Sequence, residues 1–257
     1  MSPHPIIAMW SHPRSMSTAI ERIMRERGDL DCLHEPFMYD YYVHRQVRRM
    51  PHFDVQKDHP TSYGAIRDMI LERAEKGPVF FKDMSYYVMP HLLDDRDFAG
   101  RLTNVFLVRD PIASIPSYHK LDPDLTLEEI GLEAQAVHFD ALEAGGDIPP
   151  VIAAEDVRAD TEGVIGALWQ RIGLPHVARA FEWQREAPKD WAQVGGWHGD
   201  VSSAKGIRPI SGEEIAAQQR KFDALAEKAP HLRGYLDHHR PFHRHLAARA
   251  LRPREVM

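Results

Sequence analysis

The stretch from Ile6 to Gly28 constrains this chain more than any other. Ile6-Ile7-Ala8-Met9-Trp10 is an apolar run of strand length, and Ser11-His12-Pro13-Arg14-Ser15-Met16-Ser17-Thr18 is a turn rich in hydroxyls with one cation. Ala19-Ile20-Glu21-Arg22-Ile23-Met24 then spaces its apolar residues as an amphipathic helix does, with Gly28 as its stop. A strand that runs through a polar loop into a helix start suits phosphate-like anions, because backbone N–H groups there point at the ligand and the helix dipole favours negative charge. Ser15, Ser17 and Thr18 add short hydroxyl donors and Arg14 a guanidinium fork. A nucleoside-triphosphate loop reads G-x-x-x-x-G-K-[ST], with the Lys on the β- and γ-phosphates and the Ser/Thr on Mg²⁺. Aligned on Thr18, this loop has Ser17 at the Lys position and Met16 at the second Gly. The same hydroxyls also suit a turn that does no more than cap a helix.

The pattern recurs downstream. Leu30 to Leu33 reads as a second strand and runs into His34-Glu35-Pro36-Phe37. Glu35 thus stands just past a strand end, where open parallel sheets bind ligands; the plainer reading is a surface charge. Met38 to Ser62 carries many Tyr, His and Arg residues with little periodicity, as binding loops and surface excursions both do. Ala65 to Ala74 reads as a helix, and Val79-Phe80-Phe81 as a third strand before Lys82-Asp83. Asn104 to Val108 is a fourth strand before Arg109-Asp110-Pro111, where Asp110 suits an N-cap and Pro111 the first helical position. Arg109 and Ser117 converging beside that helix start make a second anion site, unless Arg109 pairs with a structural Asp. Thr126 and Glu129 form a capping box that opens a helix ending at Gly145-Gly146. Val151 to Ala154 is a fifth strand, and Thr161 to Ile172 a helix stopped by Gly173. This alternation predicts an α/β fold: one three-layer α/β/α domain over residues 1–257 around a central parallel sheet of about five strands.

Composition narrows the function. A net charge of −6 argues against a nucleic-acid surface held by bulk positive charge. The single Cys32 leaves no intrachain disulfide framework and no Cys-rich zinc site. No apolar stretch approaches the roughly 20 residues that span a bilayer, and the N-terminus lacks the pattern of a secretory signal, so the expectation is a soluble cytoplasmic protein. Ser211 and Glu214 form another capping box, opening a helix through about Glu227. From about residue 230 the chain carries His231, His238, His239, His243 and His245 among arginines, which reads as a solvated or partner-facing tail rather than a metal site. A homodimer contact is one use such a tail could have.

The motifs together carry a resemblance. His12 to Thr18 resembles the 5′-phosphosulfate loop of the sulfotransferases that use 3′-phosphoadenosine 5′-phosphosulfate (PAPS). Arg109-Asp110-Pro111 with Ser117 and Tyr118 is similar to their 3′-phosphate motif. Glu155-Asp156-Val157 and Gly173-Leu174-Pro175 resemble a further family stretch, so the likeness covers roughly Ile6 to Pro175. It implies a bacterial-type sulfotransferase on a P-loop-NTPase-like fold, with PAPS as donor, 3′-phosphoadenosine 5′-phosphate (PAP) as product and no metal. By the same resemblance Pro13, Arg14, Ser15, Met16, Ser17 and Thr18 hold the 5′-phosphate and sulfuryl oxygens, with Arg14 at the bridging oxygen. Arg109 and Ser117 hold the 3′-phosphate, and Lys205-Gly206 matches loosely a late basic segment that touches it.

Many animal members place a His shortly after the Lys at the corresponding strand end; here Asp83 and Met84 follow Lys82. Glu35-Pro36 looks like the Glu-Pro turn of some bacterial carbohydrate sulfotransferases. That puts Glu35 first as base, with Asp83 and His34 behind it and Lys82 assisting the leaving side. Phe37, Tyr39, Tyr41, Tyr42, Tyr86 and Tyr87 are candidates for an acceptor pocket. The expected reaction is transfer of a sulfuryl group to a hydroxyl of a small alcohol or amphiphilic metabolite. A phosphotransferase with a degenerate nucleotide loop and a PAP- or PAPS-binding protein without turnover are the other two classes.

Overall fold

Period-two alternation along the first strand, β1 (Ile6–Ser11), divides the core in two: Ile6, Ala8 and Trp10 join one apolar cluster, Ile7 and Met9 the other. The computed structural model describes residues 4–184, 186 and 188–252. In it β1, β2 (Asp31–His34), β3 (Val79–Met84), β4 (Leu102–Val108) and β5 (Val151–Ala153) form an all-parallel sheet in the order β2-β3-β1-β4-β5. α1 (Ser17–Arg27) packs Ile20, Ile23 and Met24 on the Ile7/Met9 face. It is joined there by α9 (Thr161–Arg171), which follows the short α8 (Ala154–Ala159) and brings Val164, Leu168 and Trp169.

The opposite face is covered by α2 (Tyr63–Lys76), α6 (Pro111–His119), α7 (Leu132–Ala144), α10 (Gly212–Lys228) and α11 (His231–Ala247), with short helices α3 (Ser85–Val88), α4 (His91–Asp94) and α5 (Arg96–Ala99) after β3. The three layers and the parallel sheet are those the strand–helix alternation predicts. The chain leaves β1 towards β2 on one side and leaves β4 towards β5 on the other. The crevice beyond the carboxyl ends of β1 and β4 is therefore a topological switch point, the place where such sheets bind ligands.

Two expectations are corrected. The Thr126/Glu129 box forms, with Thr126 N donating to Glu129 Oε2 at 3.0 Å and Glu129 N to Thr126 Oγ1 at 3.4 Å, but it opens only a short 3₁₀ turn, Glu128–Ile130. Gly131, at φ +81°, breaks it before α7. The His- and Arg-rich residues from 230 are not a solvated tail. They form α11, which buries Leu232, Leu236 and Leu246 and pairs with α7 through His238–Glu133 at 2.8 Å and His245–Asp140 at 2.6 Å. Apolar residues spaced along one face, with histidines opposite the acidic edge of α7, dock the segment. Beyond it Leu251 N donates to Val151 O at 2.8 Å, covering the edge strand β5. Among the described residues no helix is long and apolar enough to cross a membrane, and no three His, Cys, Asp or Glu side chains are grouped to hold a metal ion.

Candidate functional site

The loop after β1 does not spend its hydroxyls on capping. Met16, at φ +76°, is the N-cap of α1 and makes no side-chain cap bond, and Ser15 Oγ is buried with no hydrogen-bond partner among the described residues. A buried hydroxyl left unpaired costs about 1–3 kcal/mol, so the loop is arranged for something other than its own helix. Arg14 (φ +62°) and Glu35 (φ +46°) are also left-handed. Non-glycine residues in that region cost about 1–2 kcal/mol each, and three of them at one crevice mark the strain that binding sites concentrate.

His12, fully buried, ties this loop to the turn after β4: its Nε2 accepts from Arg109 N at 3.0 Å, and burial drives its pKa down to about 3, so the ring is neutral. Arg109 Nη1 returns the link by donating to the Arg14 carbonyl at 2.8 Å. Asp110 caps α6 by accepting from Ile112 N at 2.9 Å, with Pro111 next, as the Asp-Pro pair predicts; Asp110 N itself donates to Glu155 Oε1 at 3.2 Å. Arg14 Nε donates to Ser117 Oγ at 2.9 Å and its Nη1 to the Trp197 carbonyl. Among the described residues neither Arg14 nor Arg109 makes an ion pair. Burial, and after it the charge of Arg109, hold the Arg14 guanidinium below its ordinary pKa; burial does the same to Arg109 against the pull of Glu155. Two partly desolvated cations without carboxylate contacts beside a helix N-terminus make an anion site.

A cavity of about 160 Å³ opens on this site. Pro13, Arg14, Met16, Ser17, Thr18 and Arg109 line one side, and His34 and Glu35 another. Tyr42, Met50, Met84, Tyr86, Tyr87 and Tyr118 form its apolar wall, and Val194, Trp197, His198 and Val201 cover it from the 3₁₀ segments Lys189–Trp197 and Gly199–Ser202. Of the aromatic residues expected there, Phe37, Tyr39 and Tyr41 lie elsewhere. Phe37 stacks on Tyr63, Tyr39 donates to Gln193 Oε1 at 2.7 Å and stacks on His59, and Tyr41 packs behind Tyr42, Tyr86 and Tyr87. A second cleft of about 300 Å³ adjoins the first, lined by Arg109, Ser117, Arg158, Gln218 and Lys221 among others.

The candidate bases part company. Lys82 and Asp83 are consecutive on β3 and point to opposite faces. Lys82, with Phe80, faces α1, where Nζ bonds Glu35 Oε1 and lies 3.9 Å from Glu21 Oε2. Burial pushes the Glu35 carboxyl up, and Lys82 and then His34 pull it further down, leaving it below its ordinary range. Asp83 faces the other core, outside the cavity lining. Its carboxyl, raised well above its ordinary value by burial, accepts from Phe37 N at 2.7 Å and Met84 N at 3.0 Å. Lys205 and Gly206 do not line the cavity either: the Lys205 carbonyl accepts from Trp183 N at 3.1 Å, because Ala204 and Ile207 hold that segment on the α1-side core.

His198 lines the cavity and Glu21 stands behind His34, and no sequence signal marks either. Glu21 forms an i,i+4 pair with Arg25, and it is buried between His34 and Lys82 at the sheet ends and Trp191 of the 3₁₀ segment. Its Oε1 accepts from Trp191 Nε1 at 2.8 Å, a residue 170 positions away.

A family model described as a sulfotransferase domain matches residues 5–233. The chain belongs to the sulfotransferase domain family. Two curated relatives, the branched-chain-amino-acid aminotransferase-like proteins 2 and 1 of Arabidopsis thaliana, are each 25% identical to it, over 206 and 211 residues. The matches take in 79% and 80% of this chain but only 36% and 37% of those proteins, so the chain spans little more than a third of the curated relatives it matches. The sulfotransferase domain from the Synechococcus PCC 7002 olefin synthase shares the fold, with a TM-score of 0.55 and 18% identity over 89% of this chain and 95% of that one.

Proposed function

We propose that this sulfotransferase-family protein moves the sulfuryl group of PAPS to a hydroxyl of a small acceptor. The observation that carries the reading is the pair Arg14 and Arg109, linked through the Arg14 carbonyl, making no ion pair among the described residues and set at the start of α1 with the Ser15 hydroxyl, which has no partner among those residues. Those groups fit a phosphosulfate. Ser15, Ser17 and Thr18 would hold its 5′ end, and Arg109, Ser117, Arg158 and Lys221, converging on the adjoining cleft, would hold the 3′-phosphate. The basic groups of that cleft take the role expected of Lys205. PAPS supplies an activated sulfuryl group whose bridging oxygen gains charge as transfer proceeds. A fixed Arg14 guanidinium there stabilises that charge more in the transition state than in the ground state, which is the condition for catalysis.

The acceptor, or its reacting end, is small. A cavity of about 160 Å³ supports a small reacting end. Its wall of Tyr, Met and Trp side chains favours a largely apolar group, and Glu35, held by Lys82, would accept the hydrogen bond that orients the hydroxyl.

A thermal-shift comparison of PAP with Mg·ATP tests the cofactor. At about 100 times its dissociation constant a ligand adds about 2.7 kcal/mol, which moves Tm by several degrees. A shift with PAP and none with Mg·ATP is expected. A shift with Mg·ATP alone would overturn the reading in favour of phosphoryl transfer, and PAP binding with no transfer to any hydroxyl would leave a binding protein.

A further inference from the structure

Three side chains that this reading leaves without a task meet on the α1 face of the sheet. Glu21, in α1, is wholly buried. Its Oε1 accepts from Arg25 Nε at 2.7 Å and Trp191 Nε1 at 2.8 Å, and its Oε2 lies 2.6 Å from His34 Nδ1. His34 ends β2 and lines the cavity; its Nε2 lies 3.3 Å from Nε2 of His198, which lines the cavity too.

We propose that His34 and His198 together take the proton of the acceptor hydroxyl, and that Glu21 is the positioning residue that fixes His34 for it. The proposal rests on the sulfuryl-transfer reading and supplies the base that reading needs. A carboxylate 2.6 Å from Nδ1 takes the ring's N–H there, so neutral His34 presents its lone pair at Nε2. Two Nε2 atoms 3.3 Å apart share one proton, so His198 donates and His34 accepts. An imidazole backed by a buried carboxylate is held in one tautomer, and the cation it forms is stabilised. Burial pushes the Glu21 carboxyl up, but Lys82 and Arg25, with His34 whenever its ring carries the proton, outweigh that cost and hold Glu21 ionised. Burial also takes the His198 pKa down to about 3, so His198 passes a proton on rather than keeping it.

Glu35 serves this purpose less well, because Lys82 already holds its carboxylate below the ordinary range. In the step, the acceptor oxygen bonds to sulfur. The bond from sulfur to the bridging oxygen breaks, and its electron pair stays on the phosphate oxygen beside Arg14. The hydroxyl proton enters the histidine pair and rests on His34, opposite Glu21. The charged groups around the pair are Glu21 and Arg25 from α1, Lys82 from β3, Glu35 next in the chain and Arg14 from the loop. Three of these are cations, so an imidazolium there depends on the carboxylate in contact with it.

The test is long-range ¹H–¹⁵N spectroscopy of the full chain labelled at histidine, with His34→Gln assigning the His34 signals. The expected result is the Nδ1–H tautomer for neutral His34, lost to a mixture in Glu21→Gln, with the Nε2 resonance of His34 moved in His198→Gln. Release of PAP from PAPS, with water as the accepting hydroxyl, should fall by about 100-fold in both variants while PAP binding by calorimetry holds. His198→Gln removes no buried charge, so the question stays open to test even if Glu21→Gln fails to fold. A wild type that binds PAP but shows His34 as the Nε2–H tautomer overturns the relay alone, as does unchanged PAP release in His198→Gln. A wild type that binds no PAP overturns the sulfuryl-transfer reading and the proton step with it.

Discussion

Arg109 donates from Nη1 to the carbonyl of Arg14 at 2.8 Å, so the cation of the β4 turn holds the backbone of the cation in the β1 loop. The two guanidiniums thus have separable tasks. Arg109→Ala removes the brace on the loop and, on the proposed function, a phosphate contact as well; a hydrogen bond to a charged group is worth about 1.5–3 kcal/mol. PAP affinity measured by calorimetry should fall by about 10- to 100-fold. Arg14→Ala should instead lower turnover by about 10²- to 10³-fold with a smaller loss of PAP affinity, as for removal of one transition-state donor. Equal effects of the two substitutions on binding and turnover would contradict the division.

Lys82 is wholly buried between two carboxylates, Glu35 in contact and Glu21 at 3.9 Å. Removing one partner of a buried pair strands the other's charge, at about 3–5 kcal/mol. Lys82→Met should lower unfolding stability by that amount in urea titrations. Adding Glu35→Gln should recover part of it, with a coupling of about 0.5–3 kcal/mol in the double-mutant cycle. Strictly additive losses would mean the two side chains do not support each other.

The parts of this site that were legible in the sequence are local. The β1 strand, its hydroxyl-rich loop and α1 are contiguous, so periodicity and residue type carry them; Asp110-Pro111 announces a helix start by chemistry confined to two residues. The rest depends on how distant segments meet. Lys82 and Asp83 carry the same signal in sequence, and only the face each takes on β3 separates a side chain that holds the cavity-lining Glu35 from one that holds backbone N–H groups in the other core. Nothing local marks Glu21 until His34 and the distant Trp191 meet it, and the histidines of α11 look solvated until α7 supplies Glu133 and Asp140. Phe37, Tyr39 and Tyr41 differ from Tyr42 by packing that residue type does not encode.

Gly131 joins the capping box to α7 at φ +81°, and a Cβ there would lie 3.2 Å from both His12 Cβ and Tyr86 Cδ1. The left-handed backbone alone costs a side chain about 1–2 kcal/mol. Gly131→Ala should therefore lower Tm by about 4–8 °C, for a loss of about 2 kcal/mol, in a thermal melt. Because the added methyl presses on His12 and Tyr86, PAP affinity should fall as well. An unchanged Tm would show that the turn can relax.

Acid should unfold this protein through its buried histidines. His12, His138 and His198 are at most 5% exposed, and burial takes each pKa down to about 3. The unfolded chain binds their protons near pH 6.5 while the folded chain does not, so the stability these groups contribute is present above that pH and is lost as pH falls towards 3. Between pH 7 and 5 the loss is about 2 kcal/mol for each ring. His138 isolates the effect from the candidate site, since it lies outside the cavity lining, against Trp10 at 4.8 Å and Phe106 at 5.3 Å between ring centres, with Nε2 unpartnered among the described residues. In His138→Phe the fall in urea-unfolding stability from pH 7 to 5 should be about 2 kcal/mol smaller than in the wild type, because Phe has no proton to bind in either state. An equal fall in the two proteins would mean that His138 can take up its proton within the fold, and that the acid limb belongs to other groups.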